Sequence, residues 1–213
     1  MNAKEVNVYE ECDRQIKAMS RQNVESFGRL KLAKWDEVSI IRTVADVYRK
    51  SALQARKRYF NIAWEAYILG CRMCGIDGKT AEKMAKKAIT MKWVDGILQQ
   101  TDEVTLYRFE SETERKAYRL AETLESSRNR NHEIDKAMKY WSQQLNQYAI
   151  NFTDYAVIQA FQDAGVLQVE WVSERDMRVC NECYAFNGQR FLVTEIPPKP
   201  HWGCRCRVIP VLD

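Results

Sequence analysis

The stretch VCNECYAFNGQRFLVTEIPPKPHWGCRCRVIP, residues 179–210, holds four of the chain's seven cysteines and one of its two histidines. Cys180 and Cys183 are spaced so that one turn presents both sulfurs to a single tetrahedral centre. His201, Cys204 and Cys206 then supply the other half of a ligand set. The pattern implies a structural Zn2+ site with more candidate ligands than a tetrahedral ion can use. In an extended segment Cys204 and Cys206 point to the same side, so spacing leaves open which of them completes the set. Pro197, Pro198 and Pro200 keep the approach to His201 extended and reduce the entropy lost in placing it. Unligated thiols, or a disulfide formed after release from the cell, are the competing readings, and the spacing favours metal over both.

Around this stretch, VLQVEWV (166–172), QRFLV (189–193) and RVIPVL (207–212) read as three short strands. Asn187-Gly188 reads as a tight hairpin turn whose positive φ both residues tolerate. So small a sheet buries too little apolar surface to stand alone and calls for a staple. Trp171 is expected to cap the core of this module. Asp176 is expected to tie down the cysteine loop or to meet Arg178 or Arg205.

Upstream the pattern changes. From Asp36 to Cys74 an apolar stripe runs through Ile41, Val44, Tyr48, Ala52, Ala55, Tyr59, Ile62 and Ala66 in steps of three and four, the face of an α-helix ended by Gly75 and the Gly78 turn. A second helix is expected over Thr80–Gln99. A third, charged and largely solvated, is expected over Glu103–Ser126, with Glu112 and Lys116 four apart. Asn131 can cap a fourth, whose seam Ile134, Met138, Trp141, Leu145, Tyr148, Phe152 and Tyr155 must pack along another helix for most of its length. Two readings of that seam stay open: it packs wholly inside the monomer, or, because the charged third helix offers few apolar positions to cover it, part of it is shared with another chain. Gly165 stands where a helix C-terminus favours a left-handed residue, which sets the boundary between a helical body, residues 1–165, and a zinc-binding β module, residues 166–213. The fold expected is mainly α, with a long helical body and a small C-terminal β module, α+β overall.

Composition agrees with that reading. The 213 residues are 46% hydrophobic and 29% charged with only 8 Gly and 4 Pro, which excludes disorder and an all-β fold. No apolar run suits a signal peptide or a membrane span, and the odd cysteine count with short spacings fits a reducing cytosol. The net charge of +4 permits nucleic-acid contact without demanding it. Arg42, Arg49 and Arg56, and Lys83, Lys86 and Lys87, read as solvated helix faces before phosphate-contacting stripes. Cys71 and Cys74, three apart near a helix end, read as core residues.

A catalytic metal finds no support. A zinc deaminase needs His-x-Glu upstream of its cysteine pair, but His132 is followed directly by Glu133. The same pair lacks the second histidine of a metalloprotease helix, since Lys136 stands in its place. His201 is the only histidine in the cysteine module, so its ligation would leave no base. No catalytic residue is expected, and His132 reads as a surface residue.

Trp171, Asp176, Cys180, Cys183, Asn187, Gly188, Phe191, Pro197, Pro198, His201, Cys204, Arg205 and Cys206 together resemble the carboxy-terminal signature of the Mu F-like phage head morphogenesis family, the minor head proteins. The resemblance covers roughly the last 60 residues. It implies a non-enzymatic virion component that associates with the portal protein or the major capsid protein during head assembly. Non-specific contact with packaged DNA is also implied, and neither a membrane nor a small-molecule substrate. Its expected place is the head interior or portal, reached through the host cytoplasm. The alternative is a zinc-stabilised, non-enzymatic nucleic-acid-binding phage protein, which salt-dependent and sequence-selective DNA binding would favour.

Overall fold

A computed structural model describes residues 2–32, 37–100, 107–173 and 180–212. The described residues are mostly helical, 72%, with a small C-terminal antiparallel sheet beside a cysteine cluster, as the sequence implies. Among the described residues the helices are α1 (Glu10–Leu32), α2 (Glu37–Met73), α3 (Gly78–Ala88), α4 (Met91–Leu98), α5 (Phe109–Ser126), α6 (Arg130–Asp163) and α7 (Asn181–Phe186). The strands are β1 (Gln168–Val172), β2 (Arg190–Leu192) and β3 (Arg207–Val211). Two compact units emerge, each from separated stretches: Met1–Arg14, Phe60–Thr90 and Gln147–Asp213 form one, Gln15–Tyr59 and Met91–Asn146 the other.

In the second unit, aromatic side chains fill the core. Trp141 of α6 lies 5.1 Å from Tyr48 of α2 and stacks on Phe109 of α5 at 5.9 Å, while Phe27 of α1 meets Tyr48 edge-on at 5.2 Å. A buried polar chain threads these rings. The Trp141 indole N–H donates to Ser51 Oγ at 2.8 Å, Ser51 donates to Asn23 Oδ1 at 2.6 Å, and Asn23 Nδ2 donates to Ser142 Oγ at 3.0 Å. Satisfying every member makes so buried a network tolerable and fixes the register of three helices.

Three expectations change here. The third helix is not a solvated one: α5 buries Phe109, Ala117, Leu120, Ala121 and Leu124. Its Glu112, fully buried, is held by Arg115 at 2.7 and 2.8 Å and by Lys116 at 3.5 Å. That covered face occupies the seam, where Ile134, Trp141 and Leu145 are buried, so Trp141 offers no docking surface. The cap of α6 is Asn129, whose Oδ1 accepts from the His132 N–H at 3.2 Å, not Asn131. The span expected as one helix over Thr80–Gln99 is two, because Ile89 leaves helical geometry at φ −96° and ψ 100° and its side chain is buried. The part of the third helix expected before Tyr107 lies outside the described residues.

The first unit carries the sheet. Tyr148 and Phe152 of the seam are buried in it, Tyr155 is exposed, and Tyr67 of α2 donates to Asp163 of α6 at 2.5 Å. Gly70 lets these two helices approach closely, since a Cβ there would sit 2.8 Å from Ala160 Cβ and 3.3 Å from the Val157 carbonyl oxygen. Cys71 is fully buried and Cys74 half-buried, which agrees with the core reading, and burial pushes the Cys74 thiol up to about 11. Helices α2 and α6 both stop at a left-handed glycine, Gly75 and Gly165, with the residue after each bonding back to the carbonyl five positions earlier. After Gly165, β1 forms the centre of the sheet, in the order β2-β1-β3. Val169 faces Phe191 on one side and Pro210 on the other. Pro210 is tolerated because β3 is an edge strand.

Candidate metal centre

Helix α7 sets the first pair of ligands. Cys180 stands at its N-cap in extended geometry and Cys183 is three residues further, so the Cys183 backbone N–H donates to Cys180 Sγ at 3.3 Å. Ser173, just after β1, fixes this turn from the sheet side: its hydroxyl donates to the Cys183 carbonyl at 2.5 Å, and its N–H donates to Asn187 Oδ1 at 3.0 Å. Asn187-Gly188 is not a strand-to-strand hairpin. It is a type II turn that closes α7 and enters β2, with Asn187 at φ −57° and ψ 123°, Gly188 at φ +79°, and the Gln189 N–H donating to the Phe186 carbonyl at 2.9 Å. Only the second position needs a positive φ, and glycine supplies it. Trp171 is buried against Phe186, ring centroids 5.2 Å apart, and Phe186 meets Phe191 at 6.0 Å. Asp176 and Arg178 lie outside the described residues. Arg205 instead pairs with Asp13.

The second set of ligands arrives on the segment before β3. Cys183 Sγ lies 3.3 Å from His201 Nε2 and 3.5 Å from Cys204 Sγ. Two overlapping triads result, Cys180–Cys183–His201 and Cys183–Cys204–Cys206, each with its ligand atoms within 4.8 Å of one another. Cys183, Cys204 and Cys206 are buried, Cys180 is half-buried and His201 is exposed. All five candidate ligands therefore converge, and Cys183 belongs to both triads.

The donor set fits a tetrahedral cation. Metal–sulfur bonds of about 2.3 Å and metal–nitrogen bonds of about 2.0 Å set ligand atoms about 3.5–3.8 Å apart, close to the separations around Cys183. The imidazole is prepared for ligation: His201 Nδ1 lies 2.9 Å from the Trp202 carbonyl oxygen. A carbonyl only accepts, so the proton sits on Nδ1 and the Nε2 lone pair faces Cys183. Burial pushes the Cys183 thiol up to about 12. A hydrogen bond with Cys206, then burial, raises Cys204. The Cys183 N–H lowers Cys180, and the bond to Trp202 raises His201. Bare thiolates are thus disfavoured in the interior half of the cluster, and a divalent cation bound there would supply the charge that stabilises them.

The remaining candidate features have ordinary partners. Arg56 is held by Asp95 at 2.5 and 2.7 Å, and Arg49 pairs with Asp46 at 3.4 Å, so this row is not a bare phosphate-contacting stripe. Lys83, Lys86 and Lys87 are exposed on α3, and His132 is exposed on α6. Cys71 and Cys74 join no metal-ligating cluster among the described residues. No helix among them is long and apolar enough to cross a membrane. No family model, curated protein or solved structure matches the chain.

Proposed function

We propose that this chain is a minor head protein of the Mu F-like kind, a non-enzymatic component of a phage head. On this reading its C-terminal module is folded around one structural Zn2+ held by Cys180, Cys183, His201 and one of Cys204 or Cys206. The observation that carries the proposal is the convergence of five donors, brought from α7 and the segment before β3 into one cluster. These donors are among the residues on which the resemblance to the family rests. Borderline-soft Zn2+ suits a thiolate and imidazole set, and four protein ligands close its coordination shell, which favours a structural role over a catalytic one. The partners proposed are the portal protein or the major capsid protein, with packaged DNA as a non-specific contact.

The test is made on heads. Mass spectrometry of heads purified from the phage that encodes the chain should find it in a few copies per head, and heads assembled without it should fail to package or infect. Heads that lack the chain and still package and infect normally would overturn the proposal.

A further inference from the structure

The metal-binding loop is anchored by a largely buried ion pair that lies outside the cluster itself. The Lys199 ammonium donates to the Cys204 carbonyl oxygen at 3.1 Å, to Asp154 Oδ2 of α6 at 2.7 Å, and to the Tyr9 hydroxyl oxygen. These acceptors use all three N–H groups of a lysine. The Lys199 and Asp154 side chains are only 17% and 20% exposed. Tyr9, at the start of α1, is buried, its hydroxyl 2.7 Å from Asp154 Oδ1 and 3.1 Å from the Cys206 carbonyl oxygen. The triad therefore touches the backbone of both cysteines that compete for the last ligand position. One helical face of α6 supplies a second anchor seven residues earlier, where Gln147 Oε1 accepts from the Gly203 N–H at 2.7 Å.

From this geometry we infer that Lys199, clamped by Tyr9 and Asp154, is the positioning residue of the metal centre. It holds the Cys204–Cys206 backbone where one of the two sulfurs reaches the ion bound by Cys180, Cys183 and His201. The inference rests on the zinc reading given above. Groups that orient ligands from outside the coordination shell commonly change metal affinity without touching the ion. The segment around Tyr9 thereby becomes part of the metal site, although nearly the whole chain separates it from the ligands.

A double replacement distinguishes positioning from bulk stability. In Lys199→Met/Asp154→Leu an apolar pair replaces the ion pair. Such exchanges are often neutral or stabilising for the fold, but they free the Cys204 carbonyl. The full-length variant should unfold near the wild-type midpoint in the presence of chelator, while its Zn2+ affinity, measured by competition with a chromophoric chelator, falls about 10- to 100-fold. Tyr9→Phe, which keeps the ring and removes only the hydroxyl, should weaken affinity in the same direction by a smaller factor and decides the matter if the double variant does not fold. Affinity within about twofold of wild type in every variant that folds would overturn the inference and leave the zinc site intact. Wild-type protein that takes up no Zn2+ would instead overturn the zinc reading and the inference with it.

Discussion

At Arg56 the guanidinium grips Asp95 through two hydrogen bonds and holds that carboxylate below its usual range. A depressed folded-state value means the pair's contribution is fully present above the unfolded value, about 3.9, and is lost as pH falls through the lower folded value. Arg56→Gln should therefore be less stable than wild type at neutral pH, and the two should converge below that range, as urea titrations at both pH values would show. A gap that persists unchanged in acid would mean the pair is not its source. In the metal cluster, Cys183→Ser should cost more metal affinity than Cys180→Ser, because Cys183 alone belongs to both triads. Equal affinities in a competition titration would count against the shared role. The five donors were legible because ligand spacing is a local property of the chain. Lys199, Asp154 and Tyr9 were not, because nothing in spacing couples residues so far apart. The one sequence signal was a lysine placed between Pro198 and Pro200 in a segment that has to be held still.

Long helices with dense apolar stripes, α2 and α6, were readable from periodicity, and their ends from glycine. Helix α1 was missed because its buried positions Cys12, Met19, Asn23, Phe27 and Leu30 are sparse and include an amide. Helix α5 was misjudged for a related reason: its charge density conceals a narrow apolar face, and Glu112 is buried with its partners on the next turn. Once α5 is known to cover Trp141, the seam needs no second chain there. The contact of α2 with the C-terminal half of α6 gives a sharper test. Gly70→Ala gains about 1 kcal/mol in helix propensity, but the new methyl meets Ala160 Cβ at 2.8 Å. Overpacking of this kind costs about 1–3 kcal/mol, so a net loss of stability is expected in thermal unfolding. A stabilised variant would show that the helices separate freely at this point.

For the whole molecule, a sheet of three strands this short buries too little apolar surface to hold itself together, and its support comes from two directions. One is the cysteine and histidine cluster, through the ion proposed for it. The other is the N-terminal stretch, where Lys4 pairs with Glu170 at 2.8 Å and its carbonyl accepts from Arg207, while Asp13 pairs with Arg205. Composition and periodicity could announce a helical body and a stapled sheet, but not that the chain's beginning belongs with its end. Chelation should accordingly raise hydrogen exchange in β1, β2, β3 and residues 3–13 together, and leave Gln15–Tyr59 and Met91–Asn146 protected. Exchange confined to the cysteine loop would contradict that coupling. The most direct measurement is the metal content of the intact chain, by native mass spectrometry and elemental analysis after purification without chelator. One zinc ion per wild-type chain and none in Cys183→Ser is the result expected, and a wild-type chain that is folded yet free of zinc, and takes none up when it is supplied, would contradict the account.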